Sequence, residues 1–172
     1  SCGFAAAILT GNTLFGIGVS ILAGIALSAI FAFLVLGLAT SQVASGLALT
    51  IFGLGLSGLI GASFVGTTRQ AIPPIHIPGL SDLPGVGRLL FGQDPFVYIS
   101  LILAGATFYF LNRTRGGLNL RSIGENHTSA HGLGLKVVKT RLLAILFGGA
   151  CAGLAGAYLS LVYTPFWSPG MT

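Results

Sequence analysis

Residues Phe15 to Leu38 read FGIGVSILAGIALSAIFAFLVLGL, a run without a single charged side chain. A helix that crosses a bilayer needs about 20 mainly apolar residues at 1.5 Å rise each, and this stretch meets that length. Three further stretches meet or approach it: Val43 to Phe64, Pro95 to Asn112 and Leu142 to Tyr163. Charged residues make up 6% of the chain against 53% hydrophobic, whereas a soluble domain carries about 25% charged residues. So few polar side chains cannot cover a water-exposed surface, and a soluble globular fold is excluded. The expected fold is all-α: a polytopic transmembrane helical bundle of four full spans with a truncated fifth at the amino terminus. That fifth element, Gly3 to Thr10, is apolar but too short to span, and Gly11-Asn12-Thr13 ends it. With Ser1 first and Gly170-Met171-Thr172 last, the chain reads as a fragment of a longer protein.

The formal net charge is +5, and six of the eight Lys and Arg residues fall between Arg113 and Arg141, with Glu125 the one acid among them. Basic residues gathered in one interhelical loop follow the positive-inside bias and place that loop in the cytoplasm. A nucleic-acid surface would spread them, with aromatics, over a folded face, so the expected surroundings are membrane lipid and no nucleic acid. The loop from residue 66 to 94 carries Arg69 and Arg88 against Asp82 and Asp94, and is broken by Pro73-Pro74, Pro78-Gly79 and Pro84-Gly85. It is expected outside the cell. Span parity then puts the turn Ala39-Thr40-Ser41-Gln42 inside and Gly11-Asn12-Thr13 outside. The uncharged 39–42 turn leaves a second reading open, in which its flanking helices form one broken or re-entrant element.

The 27 glycines have no three-residue period and sit among Leu, Ile, Phe and Ala, as close-packing positions between membrane helices do. Gly149, Gly153 and Gly156 form the clearest such seam. Gly53-Leu54-Gly55-Leu56-Ser57-Gly58 matches the dinucleotide pattern GxGxxG, but it lies inside an apolar span with no strand before it, so helix packing is the better reading. Cys2 and Cys151 read as small buried hydrophobes.

Val138 precedes Lys139-Thr140 where a phosphate-binding loop demands Gly, so the chain holds no ATPase motif of its own. Asp82, Asp94 and Glu125 all lie outside the spans, which leaves no intramembrane carboxylate for proton coupling. His76 and Asp82 lack the spacing of a hydrolytic triad, and His127 with His131 lack a third metal ligand. Asn112-Arg113-Thr114 and Asn126-His127-Thr128 match a glycosylation pattern, but on the cytoplasmic side. The chain does not read as an enzyme: no catalytic residue, metal site or bound cofactor is expected, and any energy source must come from elsewhere.

The basic loop is the informative one. It is rich in glycine yet punctuated by Leu118, Leu120, Ile123, Leu133 and Leu135, anchors that a pure linker lacks. Asn126 suits an N-cap, and His127 to His131 could form one short helix closed by Gly132 in a left-handed C-cap, either as a docking element or as an inert connector.

Gly117-Leu118-Asn119-Leu120-Arg121-Ser122-Ile123-Gly124-Glu125-Asn126, followed by Gly132-Leu133 or Gly134-Leu135, resembles the permease subunits of ABC importers, in the group that serves simple sugars, nucleosides and branched-chain amino acids. Arg141-Leu142-Leu143-Ala144, the run from Gly148 to Ala157, and Pro169-Gly170-Met171-Thr172 are similar to the same family's following span and the motif beyond it. The stretch from Gln42 to Ser57 looks like the nucleoside or simple-sugar branch. A Pro commonly follows the Glu-Asn pair in that family, and His127 stands there instead, a change that should loosen the helix start slightly.

The resemblance implies that residues 1–172 are part of one transmembrane permease domain in the bacterial cytoplasmic (inner) membrane. It also implies a second permease subunit, ABC ATPase subunits that use ATP, and an extracytoplasmic solute-binding protein that delivers the solute. The loop helix would be the coupling helix, with Gly124, Glu125, Asn126, Ala130 and Gly132 presenting it to the ATPase. A stand-alone channel or secondary carrier remains the rival reading, and a membrane scaffold a third.

Overall fold

The structure, a computed structural model, describes residues 1–66, 94–126, 130, 132 and 134–163. Among them there is no strand. They form six α-helices: α1 (Cys2–Thr10), α2 (Thr13–Ala32), α3 (Gln42–Gly61), α4 (Pro95–Arg113), α5 (Arg115–Glu125) and α6 (Val137–Tyr158). Four are long and apolar enough to cross a membrane once their terminal turns are added: Thr13–Gly37, Gln42–Phe64, Pro95–Arg113 and Val137–Tyr163. The 25 residues of the first extend about 37 Å, enough to pass a hydrocarbon core about 30 Å thick. Only 6–11% of the residues in these spans are buried within the chain, so their apolar outer faces call for a non-aqueous surrounding. The protein is an integral, multi-pass membrane protein. The loop from 67 to 93, with His76 and Asp82, lies outside the described residues, as do His127, His131 and the final Pro169-Gly170-Met171-Thr172.

The chain divides into two compact units, residues 1–71 with 138–172, and residues 72–137. In the first, α1 adjoins α2, α3 and the π-helical end of α6, Leu159–Tyr163. Although it has only nine residues, it holds some of the best-buried apolar side chains of the unit: Phe4 is 1% exposed and Ala7 fully buried. Its break from α2 is built as the sequence suggests. Gly11 takes φ 71° as a left-handed cap, and the Asn12 Oδ1 accepts from the Leu14 N–H at 3.0 Å.

The 39–42 turn joins two separate helices, each long and apolar enough to cross a membrane. Residues Phe33–Gly37 widen into a π turn, with the Leu38 N–H donating to the Phe33 carbonyl at 3.2 Å. Thr40 then fastens the corner. Its hydroxyl lies 2.8 Å from the Leu34 carbonyl and 2.8 Å from the buried Ser45 hydroxyl.

In the second unit, α4 and α5 meet at Thr114. Its hydroxyl donates to the Phe110 carbonyl at 2.7 Å and accepts from the Gly117 N–H at 3.1 Å, ending one helix and starting the next. A Cβ on Gly117 would lie 2.6 Å from the Leu111 Cα, so only glycine lets α5 turn this close to the last turn of α4. Arg121 donates to the Asn112 Oδ1 at 3.2 Å across the same corner.

One expectation needs correcting. The basic segment is more helical than a loop with one short helix, because Thr114 supplies an N-cap that lets Arg115–Glu125 fold despite two adjacent glycines. The helix of the last span starts at Val137, ahead of the apolar stretch that begins at Leu142, since Lys139 and Arg141 are good helix formers whose charges can stand beyond the hydrocarbon.

Candidate functional site

In the first unit a cavity of about 600 Å³ opens between α2, α3 and α6, with the start of α1 at one end. Its existence follows from how the helices touch. On α2, the small residues Gly16, Ser20, Gly24 and Ser28 recur every fourth position and so share one face. The α1 helix uses the first half of this stripe, where a Cβ on Gly16 would fall 2.6 Å from the Ala7 Cβ and from the Gly3 carbonyl oxygen. The α6 helix uses the second half, running antiparallel. A Cβ on Gly24 would strike the Gly149 carbonyl and lie 3.0 Å from the Gly153 Cα, and one on Gly153 would strike the Ser20 carbonyl. Backbones brought this close leave room beside them, and that room is the cavity.

The lining is mostly apolar, with Leu27, Phe31 and Leu56 among its walls, and no charged side chain among the described residues faces it. Four serines do: Ser1 at the start of α1, and Ser20, Ser28 and Ser57. Ser28 donates to the Ile25 carbonyl at 2.9 Å. Ser20 differs from the other buried serines. Ser45 is bonded to Thr40 and Ser160 to the Gly156 carbonyl, whereas the Ser20 hydroxyl, in a residue only 9% exposed, has no partner among the described residues.

The candidate packing residues separate here. Gly149 and Gly153 face α2 at contact distance, while Gly156 lines the cavity and a Cβ there would meet nothing within 4 Å. The GxGxxG run of α3 has no close neighbour among the described residues. Gly53 faces the cavity, and Gly55 and Gly58 stand open. Cys2 and Cys151 are half-buried free thiols, and Cys2 lines the cavity. Sequence reasoning passed over Ser20 and Ser57. The four-residue recurrence of small side chains around Ser20 was the available signal.

The candidate coupling residues lie in the other unit. Gly124 and Glu125 are exposed on the last turn of α5, and exposed Asn126 leaves the helix with φ −150°. The Asn126 carbonyl accepts from the Ala130 N–H at 3.1 Å, and the Ala130 carbonyl accepts from the Leu135 N–H at 3.2 Å. Gly132 is helical, and the left-handed residue is Gly134 at φ 75°. The cap therefore falls two residues later than expected. The bond from Leu135 back to Ala130 is the six-to-one closure of a Schellman motif, which requires the left-handed residue immediately before Leu135. Ala130 is buried and Gly132 exposed.

No solved structure matches the chain. Residues 2–172 match the family model described as branched-chain amino acid transport system / permease component. A putative glucose ABC transporter permease protein of Haloferax volcanii is 38% identical over 174 residues, covering 99% of this chain and 53% of the relative. A guanosine ABC transporter permease protein of Bacillus subtilis is 32% identical over 132 residues, covering 73% of this chain and 41% of the relative. A nucleoside ABC transporter permease protein of Lactococcus lactis is 36% identical over 83 residues, 48% of this chain and 26% of the relative. The chain thus spans about half the length of the first of these relatives. With four helices long and apolar enough to cross a membrane, and a family match from the second residue to the last, the chain belongs to the permease-component family of branched-chain amino acid transport systems.

Proposed function

We propose that the protein is the membrane-spanning permease subunit of an ATP-driven ABC importer that carries a nucleoside or a simple sugar. The observation that carries this reading is the 38% identity, along 99% of the chain, to a relative named as a glucose ABC transporter permease. An extracytoplasmic binding protein delivers the solute, a second permease subunit completes the pathway, and a partner ATPase supplies the energy. The chain itself transports and does not catalyse.

Coupling is assigned to the segment between α5 and α6. The exposed Gly124, Glu125, Asn126 and Gly132 present it to a groove on the cytoplasmic ATPase, and buried Ala130 seats it. A helix start and a Schellman closure give the segment fixed ends, so a push from the ATPase is passed on to the spans rather than absorbed. Glycine at 124 and 132 keeps its outer surface low enough for close docking.

The test is reconstitution of the full-length permease with its ATPase and binding protein in proteoliposomes, measuring accumulation of labelled glucose, guanosine and leucine. Accumulation should require ATP and should fall when Glu125 is replaced by Ala and Gly124 by Val together. Uptake that proceeds without any ATPase would instead establish a channel or secondary carrier.

A further inference from the structure

We infer that the cavity between α2, α3 and α6 is a binding station for a neutral, polyhydroxylated solute, which Ser20 and Ser57 hold by their hydroxyls against the apolar wall of Leu27, Phe31 and Leu56. The inference rests on the reading of the protein as an importer permease and names the chemical class that this site accepts.

The volume of about 600 Å³ lies inside the range of small-molecule pockets, about 300–1,000 Å³. Buried hydroxyls in a well-packed membrane helix ordinarily bond back to the carbonyl one turn earlier, as Ser160 does to Gly156. Ser20 makes no such bond among the described residues, and its oxygen is not sealed off: no side-chain oxygen or nitrogen there is both fully buried and unpaired. The hydroxyl lies against the Gly3 backbone, which lines the cavity with it, and its donor and two acceptor positions are unused among the described residues. Ser57, half-buried across the cavity on α3, has no bonded partner among the described residues either, and Ser28 keeps acceptor capacity while donating to Ile25. Donors and acceptors on opposing walls suit the hydroxyls of a sugar ring or a ribose.

Charge decides against the other class that the family serves. An amino acid enters as a zwitterion, and both its ends would need ionic partners or dipoles in a membrane-embedded site. Among the described residues, no Asp, Glu, Lys, Arg or His lines the cavity. A neutral polyol asks only for hydrogen bonds and an apolar surface for its ring face, which the three apolar side chains supply.

Gly53 and Gly55 provide the decisive comparison. Both stand on α3 with open space where a Cβ would be, but Gly53 lines the cavity and Gly55 does not. In the full-length, reconstituted importer, G53L should lower uptake of glucose or guanosine by tenfold or more, while G55L leaves it within about twofold, with both variants assembling as wild type by gel filtration. S20A and S57A should each raise the half-saturating concentration about fivefold, the effect of one lost hydrogen bond. A second readout needs no transport. With Cys2 as the single remaining cysteine of the purified permease, glucose or guanosine should slow its modification by a neutral methanethiosulfonate, and leucine should not. Equal uptake by G53L and G55L, or protection of Cys2 by leucine alone, overturns the inference and leaves the importer reading standing. Protection by glucose or guanosine without ATP-driven uptake overturns the importer reading and keeps the site.

Discussion

Glycine does two different jobs in the two units. Along α2 and α6 it removes side chains so that helices far apart in sequence can touch backbone to backbone, Gly24 against Gly149 and Gly153. At the corner between α4 and α5, Gly117 allows helices separated only by Thr114 to fold back on each other. In the first case the contact is long-range and, in a lipid setting, has no hydrophobic drive behind it, so it lives on van der Waals fit. In the second the geometry is set by a local cap, with the Thr114 hydroxyl bonded on both sides of the bend. A seam made by fit should be brittle to added volume, whereas a corner made by hydrogen bonds should lose stability in proportion to the bonds removed.

The largest expected effect comes from Gly149→Leu. A Cβ there would already meet the Ser28 side chain and lie 2.6 Å from the Gly24 carbonyl, and neither α-helical backbone can give way. Overpacking of this kind costs about 3 kcal/mol or more, and the thermal midpoint of the purified full-length protein in detergent should fall accordingly. Gly117→Ala follows at about 2 kcal/mol, since its Cβ would press on Leu111 backbone atoms at 2.6 and 2.8 Å but can open the corner slightly. Thr114→Ala removes the cap at a cost of about 1 kcal/mol, and hydrogen exchange should speed first at the amides of Leu118 and Gly117. Arg121→Ala loses one exposed bond to Asn112 and should change the midpoint by no more than about 0.5 kcal/mol equivalent.

The comparison is sharpest in a double-mutant cycle. Gly24→Ala and Gly149→Ala share a contact, so their effects should couple by about 1 kcal/mol, because helices already parted by one methyl admit the second more cheaply. Gly149→Ala with Gly117→Ala should be additive, since the atoms nearest an added Cβ at the two positions belong to different residues. Coupling between the second pair equal to that of the first would break the distinction between seam and corner.

The spans were legible because their signal is local and accumulates over many residues. The absence of charge from Phe15 to Leu38 suffices to place that stretch in lipid, and the four spans begin and end within a few residues of where the apolar runs do. The Gly11-Asn12 break was legible for the same reason, since a left-handed glycine followed by an N-capping Asn carries its own geometry. The α5 helix was less so. Gly116 and Gly117 argue against a helix on propensity, and what outweighs them is the Thr114 cap and the close fit of Gly117 on α4.

What the sequence determined by itself was the membrane, the number of spans and the family-like pattern of the basic segment. What only the tertiary structure decided was which glycines touch a neighbour. Gly53, Gly55 and Gly58 look as promising in the sequence as Gly149 and Gly153, yet the first three have open space beside them and the last two lie against α2. A missing side chain is the same absence everywhere along the chain, and its meaning depends on the residue brought opposite it from elsewhere. The same holds for Ser20, whose hydroxyl has no bond among the described residues and whose place beside the cavity depends on α1 and α6 being brought against the two halves of its stripe.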